Sequence, residues 1–233
     1  MKLVWCPEVA SKAYIDGVRA LAGRDDLAGS AEVAELVAAM AGGWNAQLVV
    51  EAPDESSAQS SSSPPATSLA LAAAARRTGG RYARVLPEGG TSAAVYAGDV
   101  GPQADADAGA QPSPTTAVVA GDADEAMAGL EGVDLLVIDA RRRDAAAVLR
   151  AARPGARGMV VVRHGDARRR GAAASMAAGT RLVRSVFLPI GKGVEVLHVG
   201  VGKGPSLHSR GTAGRWIRHV NHDTGEEHVF RRQ

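Results

Sequence analysis

Cysteine and aromatic residues are scarce in this chain of 233 residues. Cys6 is the single cysteine, so neither an internal disulfide nor a metal cluster built on several cysteines can form, and we expect a reducing compartment. Aromatic residues make up only 3% of the chain, so the core has to be built from Val, Leu, Ile and Ala, as is typical of a buried parallel sheet. Because few rings are available to stack on bases, the composition argues against a nucleic-acid partner.

Long apolar runs and a strong excess of one charge are also missing. No stretch reaches the roughly 18 apolar residues that a membrane span needs, and MKLVWCPE has too few apolar residues before Pro7 for a signal peptide. We therefore expect a cytoplasmic protein with no membrane partner, and the nucleus stays open as a second location. The net charge of +2 is well short of the excess that marks dedicated nucleic-acid-binding proteins.

The residues that are present suffice for one large domain. Hydrophobic residues make up 45% and charged residues 22% of the chain, which are ordinary values for a globular protein. A chain of this length can bury roughly 70% of the surface that its unfolded form exposes. We predict a single domain over residues 1–233, with flexible loops at 53–66 and 98–114. The first loop is rich in Ser, Pro and acidic residues and has no apolar periodicity, and the second is rich in Gly, Ala, Asp and Pro and has weak periodicity.

Apolar residues at three-and-four spacing predict three helices in the first third of the chain. Each predicted helix is bounded by residues that favour helix ends. The first runs from Pro7 towards Gly23, the second is capped by Ser30 and stopped by Gly42 and Gly43, and the third is capped by Thr67 and closed by Gly79 and Gly80.

Short apolar segments that alternate with helical segments predict a parallel sheet with helices on both faces. The predicted strands are residues 46–52, 82–87, 115–121, 133–140 and 158–165. RLVRSVFLPI and VEVLHVGV, joined by a Gly-Lys-Gly turn, predict an antiparallel hairpin at one edge, and RWIRHV with EEHVFRR predicts a second hairpin. The expected fold class is α/β, a Rossmann-like doubly wound, mostly parallel sheet of about seven strands.

Acidic residues follow the first four predicted strands. Ligands of such sheets bind outside the carboxyl ends of the strands, where carboxylates can accept hydrogen bonds from ribose hydroxyls or a base amino group. Capping of the next helix explains any one of these acids about equally well. The four acids are Glu51, Glu88, Asp122 and Asp139.

Arginine residues cluster at the same predicted edge. Because guanidinium groups suit phosphates and carboxylates, this rim could bind an anionic ligand or an acidic protein. The alternative is a solvated loop whose arginines balance nearby acids. The rim consists of Arg141, Arg142, Arg143 and Arg163.

The stretch GDADEAMAGLEGVDLLVIDARRRD, followed by RPGARGMVVV, resembles the second half of class I S-adenosylmethionine-dependent methyltransferases, especially the catechol and caffeoyl-CoA O-methyltransferase group. The resemblance implies a sheet of that type, S-adenosylmethionine as cofactor and a small-molecule acceptor. It also implies that Glu51 and Glu88 bind the cofactor, with Glu88 near the ribose. Asp122 and the backbone of Ala123 would lie near adenine. Asp139, the candidate catalytic residue, would lie near the methionine end or a metal.

Nearly the whole chain resembles, more closely, a plant family of unknown function that is classed in the same superfamily. The resemblance is carried by WCPEVASKAYIDGV, AELVAAMAGGWNAQLVVE, LAAAARRTGGR, RSVFLPIGKG and GEEHVFRR. It implies a fold and a cofactor but no acceptor.

Two departures from the methyltransferase pattern favour a second interpretation. No glycine occurs from Ala46 to Thr78, although the glycine turn after the first strand lets the backbone approach the cofactor. The Asp-Asn pair that holds a divalent cation is replaced by Arg163 and His164, so we expect no metal. The alternative is a non-catalytic binding or scaffold module with an anionic partner.

Overall fold

The helices and strands of the described residues follow the predicted alternation. The computed structural model describes residues 5–24, 27–54, 65–87, 116–165, 176–202, 216–220 and 227–231. In this part of the chain the helices are Pro7–Leu21 (α1), Ala28–Gly43 (α2), Ala66–Thr78 (α3), Ala123–Ala128 (α4) and Ala145–Ala151 (α5). The strands are Leu48–Ala52 (β1), Arg81–Leu86 (β2), Thr116–Ala120 (β3), Glu131–Val133 (β4), Leu135–Asp139 (β5), Arg153–Pro154 (β6), Met159–His164 (β7), Thr180–Leu188 (β8), Val194–Val201 (β9), Trp216–Val220 (β10) and Glu227–Arg231 (β11).

Seven of these strands form one sheet in the order β3-β2-β1-β5-β7-β9-β8. The pairs from β3 through to β7 are parallel, whereas β9 runs antiparallel to both β7 and β8. The chain builds outwards from β1 to β3 and then returns to the other side of β1 with β5, so the strand order reverses beside β1. The sheet confirms the predicted Rossmann-like α/β fold with an antiparallel edge hairpin.

Helices cover both faces of the sheet. Helices α1, α2 and α3 share one hydrophobic cluster with alternate residues of the central strands, such as Val49 and Val137. Helices α4 and α5 share the other cluster, which includes Val50 and Leu136. All five residues of β5 are buried, as expected of a central strand covered on both faces.

Small residues let α1 lie close against its neighbours. A Cβ built on Gly17 would stand 3.0 Å from Cβ of Ala38 on α2 and 3.6 Å from Cβ of Ala70 on α3. At Gly42, a Cβ would stand 2.7 Å from the carbonyl oxygen of Val9, which is too close for a real side chain. The three helices therefore form a tightly packed layer.

Two predicted helix caps are wrong. The N-cap of α2 is Leu27, and Ser30 lies inside the helix with its hydroxyl donating to the Leu27 carbonyl oxygen at 3.1 Å. The N-cap of α3 is Pro65, and the hydroxyl of Thr67 donates to Glu51 instead of to its own helix. In both cases the helix begins earlier than the capping residue type suggested.

Other predicted boundaries are confirmed. Helix α3 ends at Gly79, whose φ of +65° is the left-handed conformation of a helix C-cap. Strands β10 and β11 are antiparallel, as expected of the second hairpin. Trp216 pairs with Arg231 at one end and Val220 pairs with Glu227 at the other.

Most of the two predicted loops, residues 55–64 and 98–114, lies outside the described residues. No helix in the described part of the chain is long and apolar enough to cross a membrane.

Candidate functional site

Glu51 occupies the carboxyl end of β1, where the strand order reverses. Its side chain is buried and accepts hydrogen bonds from the hydroxyls of Thr67 and Ser68, each at 2.6 Å, and from the hydroxyl of Tyr82. Thr67 and Ser68 lie in the first turn of α3, and Tyr82 lies on β2. The carboxylate therefore ties the start of α3 to the sheet.

Tyr82 remains protonated in this network. Burial raises the pKa of its hydroxyl well above 10.0, and the charge of Glu51 and the hydrogen bond to it raise that pKa further. Nε of Arg84 lies 3.8 Å from Oε2 of Glu51 and supplies a buried positive charge beside the carboxylate. The network thus consists of one carboxylate, three hydroxyl donors and one guanidinium.

Asp139 ends β5 and is also buried, and among the described residues Arg141 donates hydrogen bonds to its carboxylate. Arg141 donates to it from the backbone N–H at 2.9 Å, from Nε at 3.0 Å and from Nη2 at 2.6 Å. Burial alone raises the pKa of Asp139. The hydrogen bonds from Arg141, the charge that His164 carries at acid pH and the charge of Arg141 outweigh that effect, so the pKa of Asp139 lies below the ordinary 3.8. Asp139 is therefore ionised at neutral pH.

His164 ends β7 and pairs in register with Asp139 on β5. Burial lowers the pKa of His164 below 6.5, although the charges of Asp139 and Glu51 raise it, and the charge of Arg141 lowers it further. The imidazole is therefore mostly neutral at pH 7. The carboxyl ends of β1, β5 and β7 thus bring together two carboxylates, one imidazole and one guanidinium.

Arg142 crosses the same edge inside the protein. Its side chain is fully buried, and Nη1 donates to the carbonyl oxygens of Val85 at 2.5 Å and Pro53 at 3.4 Å. The guanidinium also forms a two-point pair with Asp144, through Nε with Oδ1 and through Nη2 with Oδ2 at 2.8 Å. One cation therefore connects the end of β2, the residue after β1 and the segment after β5.

Arginine residues of the predicted rim are paired with carboxylates at three of its four positions. Arg141 pairs with Asp139 and Arg142 with Asp144, as described above. Nη1 of Arg163 lies 2.5 Å from Oε2 of Glu195, whose Oε1 accepts a hydrogen bond from Ser185 at 3.1 Å. Arg143 is exposed. This arrangement favours the interpretation in which the arginines balance nearby acids.

Asp122 stands apart from the other predicted acids because it is exposed. It occupies the N-cap position of α4, but within the described residues its side chain makes no capping hydrogen bond. Ala123 follows it as the first, buried residue of α4. The capping interpretation therefore does not account for Asp122. Glu88 lies outside the described residues.

The residue types alone did not reveal the groups that hold the predicted acids. Thr67 and Ser68 are 16 and 17 residues from Glu51 in the chain, so no local pattern connects them. The pairs Asp139 with Arg141 and Arg142 with Asp144 are each two residues apart, and that spacing was an available signal. Within the described ranges, no three His, Cys, Asp or Glu side chains come together as metal ligands.

The sheet and its carboxyl edge define an α/β protein of the Rossmann-like class. The chain belongs to a protein family of unknown function, DUF1442, whose sequence profile matches residues 1–232. The predicted membership of a family of unknown function is thus confirmed. No curated protein matches the sequence.

Proposed function

We propose that the chain is an S-adenosylmethionine-dependent, methyltransferase-like protein of the cytosol that acts on a small-molecule acceptor. The observation that carries the proposal is the position of Asp122. This residue follows β3, is exposed and makes no capping hydrogen bond within the described residues. The sheet to which β3 belongs reverses its strand order beside β1. The single reversed strand β9 agrees with the class I methyltransferase type that the sequence resemblance implies. The carboxyl edge of such a sheet is where a nucleoside binds.

The available donor and acceptor groups fit the nucleoside part of this cofactor. The carboxylate of Asp122 can accept a hydrogen bond from the adenine amino group, because no described residue uses it for capping. Ala123 begins α4, and the first N–H groups of a helix lack acceptors within the helix. These two residues would hold the base.

The methionine part fits less well. Glu51 and Asp139 already accept hydrogen bonds from neighbouring side chains, and Pro53 stands just after β1, where a glycine turn would approach the ligand. A ligand that needs either carboxylate has to compete with Thr67, Ser68 and Tyr82 at Glu51, or with Arg141 at Asp139. We therefore propose binding that is weaker than in methyltransferases with the glycine turn.

Bound S-adenosylmethionine would supply an electrophilic methyl group. The contribution of the chain would be positioning, since a methyl transfer gains most from alignment of the two reactants. Arg142 cannot act as a base, because its guanidinium is always protonated and is buried between Val85 and Asp144. Asp139 would orient groups near the transferred methyl through its fixed negative charge.

Calorimetry with S-adenosylmethionine and S-adenosylhomocysteine tests the proposal. We expect both to bind, and Asp122→Asn to weaken binding about tenfold or more, because it removes a charge-assisted hydrogen bond. Asp124→Asn is the matched control, since Asp124 is an exposed acid in the first turn of the same helix. Silence of the wild-type chain at about millimolar ligand would exclude the proposal.

A second candidate function, a non-catalytic binding or scaffold module, is favoured by the internal pairing of the edge. Glu51, Asp139 and Arg142 all hold the protein together, as a fold that has lost its cofactor would allow. Arg143, which is exposed and forms no ion pair with a described carboxylate, is then the rim residue available to an anionic ligand or acidic protein.

Titration with coenzyme A and with a polyglutamate peptide tests this second function. A non-catalytic module would bind one of these anions without binding S-adenosylmethionine, and Arg143→Glu would abolish that binding. Arg150→Glu, at an exposed position near the opposite end of the sheet, is the control and should bind as the wild type does. Equal losses in both variants would indicate nonspecific attraction and exclude the module.

A further inference from the structure

Helix α1 carries an apolar ridge on its outer surface. The ridge consists of Tyr14, Ile15 and Val18, whose exposed fractions are 42%, 46% and 37%. Large apolar side chains that cluster on a surface mark interaction sites more often than isolated ones do. The ridge lies within one turn and a half of helix, so its members form a continuous patch.

A groove runs beside this ridge, between α1 and α2. It has a volume of about 440 Å³ and is lined by Ala10, Ser11, Tyr14, Ile15 and Ala39. The charge of Glu35 on α2 raises the pKa of the Tyr14 phenol, so the ring lies on the α2 side of the ridge. The small side chains of Ala10 and Ala39 leave room for a side chain from outside.

Helix packing in the described part of the chain leaves the ridge partly uncovered. Helix α1 packs against α2 and α3 through Ala10, Ala13, Gly17 and Leu21, which are buried. Tyr14 borders this packed face on the side of α2, whereas Ile15 and Val18 extend the ridge outwards. The ridge therefore forms the outer border of the helix layer to which α1 belongs.

We infer that this surface docks a second copy of the chain, with the two α1 helices antiparallel about a two-fold axis beside Tyr14 and Ile15. A two-fold axis makes an interface from the same patch on both copies, so the patch has to complement itself. Here a ridge stands next to a groove. The axis places the ridge of each copy in the groove of the other.

The charges along α1 select the antiparallel arrangement. Glu8 lies in the first turn and Arg19 in the last turn, and both are exposed on the side that flanks the ridge. Antiparallel helices bring Glu8 towards Arg19 of the second copy and oppose the two helix dipoles. Parallel helices would bring like charges together. Glu8 also pairs with Lys12 of its own helix at 2.6 Å, and Arg19 lies 4.0 Å from Asp16, so antiparallel docking sets two pairs of opposite charge side by side.

Sedimentation velocity of the full chain over a range of concentrations tests the inference. We expect a dimer at about 0.1 mM, and a dissociation constant raised about tenfold or more by Ile15→Lys, which places a charge on each side of the axis. Val201→Lys is the control, because Val201 is similarly exposed, at 44%, at the end of β9. A wild-type chain that stays monomeric, or a dimer lost in Val201→Lys and kept in Ile15→Lys, would overturn the inference.

Charge exchange tests the orientation independently. Glu8→Arg and Arg19→Glu should each weaken the dimer, because each sets like charges against one another twice. An equimolar mixture of the two variants should restore the dimer. In the mixed dimer, the arginine introduced at position 8 faces the glutamate introduced at position 19, and Arg19 of the first variant faces Glu8 of the second. Circular dichroism checks that both variants keep their helices. A mixture that stays monomeric, from folded variants, would contradict antiparallel docking.

Discussion

Oδ1 of Asp139 lies too close to the Cα of Gly165 for a Cβ atom to fit between them. A Cβ built on Gly165 would stand 2.5 Å from that oxygen and 3.3 Å from Nε of Arg141. Gly165 also has a φ of +94°, in the left-handed region that favours glycine. The residue after β7 therefore leaves the space in which Asp139 and Arg141 form their pair.

Gly165→Ala should destabilise the protein by about 2–4 kcal/mol, because it adds backbone strain and displaces the Asp139 carboxylate. Urea unfolding measures the change. Gly202→Ala is the matched control, since Gly202 has a φ of +79° and no described atom within 4 Å of the added Cβ. The control should cost only about 1 kcal/mol. Equal losses in the two variants would show that Asp139 moves aside freely.

Arg142→Met should destabilise the protein by about 2–4 kcal/mol. The substitution leaves the carbonyl oxygen of Val85 and the carboxylate of Asp144 without their donor. Arg143→Met, one residue further along and exposed, should change the free energy of unfolding by less than about 0.5 kcal/mol. Urea unfolding of both variants checks the prediction, and similar values for the two would contradict the buried bridge.

Tyr82→Phe and Glu51→Gln should be strongly coupled. Phe lacks the hydroxyl donor, and Gln replaces one of the two acceptor oxygens by an NH2 group that cannot accept, so each substitution should cost about 1–3 kcal/mol. The double variant should cost less than the sum of the two, because the same bond cannot be lost twice. Unfolding free energies of all four proteins give the coupling energy. A coupling near zero would mean that the hydroxyl of Tyr82 does not stabilise the carboxylate.

Stability should fall as the pH drops below about 6.5. The folded-state pKa of His164 lies below 6.5, mainly because of burial, so the unfolded chain binds a proton that the folded chain excludes. The stability is therefore full above the unfolded pKa and is lost as the pH falls towards the folded one. His164→Gln should flatten this dependence.

His198 adds to the same dependence, because burial and then the charge of Arg184 lower its pKa as well. Only a part of the slope should therefore disappear in His164→Gln, and His164→Gln combined with His198→Gln should remove more. NMR titration of the imidazoles assigns the two contributions. An unchanged slope in the single variant, or a His164 pKa above 6.5, would refute this assignment.

The fold could be predicted from the sequence to a greater extent than the site. Strands such as β5 are apolar at nearly every position, and helices such as α1 alternate small and polar residues at helical spacing, so local patterns define both. The alternation of strands with helices predicts their parallel pairing, but it does not contain the order β3-β2-β1-β5-β7, which the structure supplies. The cap assigned to Thr67 was wrong because a residue 16 positions away, Glu51, competes for its hydroxyl.

The environment of the candidate site depends on such distant partners. Arg141, Arg142 and Arg143 are identical in type and adjacent in the chain, yet the side chain of Arg142 is fully buried and that of Arg141 is 45% exposed. Burial of Arg142 depends on the carbonyl oxygen of Val85, 57 residues away. Composition alone cannot distinguish these three arginines, because it contains no information on which of them faces the sheet.

The bridge made by Arg142 has a consequence for the order of folding. Its acceptors at Val85 and Pro53 are 57 and 89 residues away, so these bonds form only after β1, β2 and β5 have assembled. An interaction that forms after the rate-limiting step slows unfolding and leaves the folding rate almost unchanged. We therefore predict that the loss of Arg142 shortens the lifetime of the folded chain and appears in stopped-flow experiments as faster unfolding, whereas slower folding would place these bonds in the rate-limiting step.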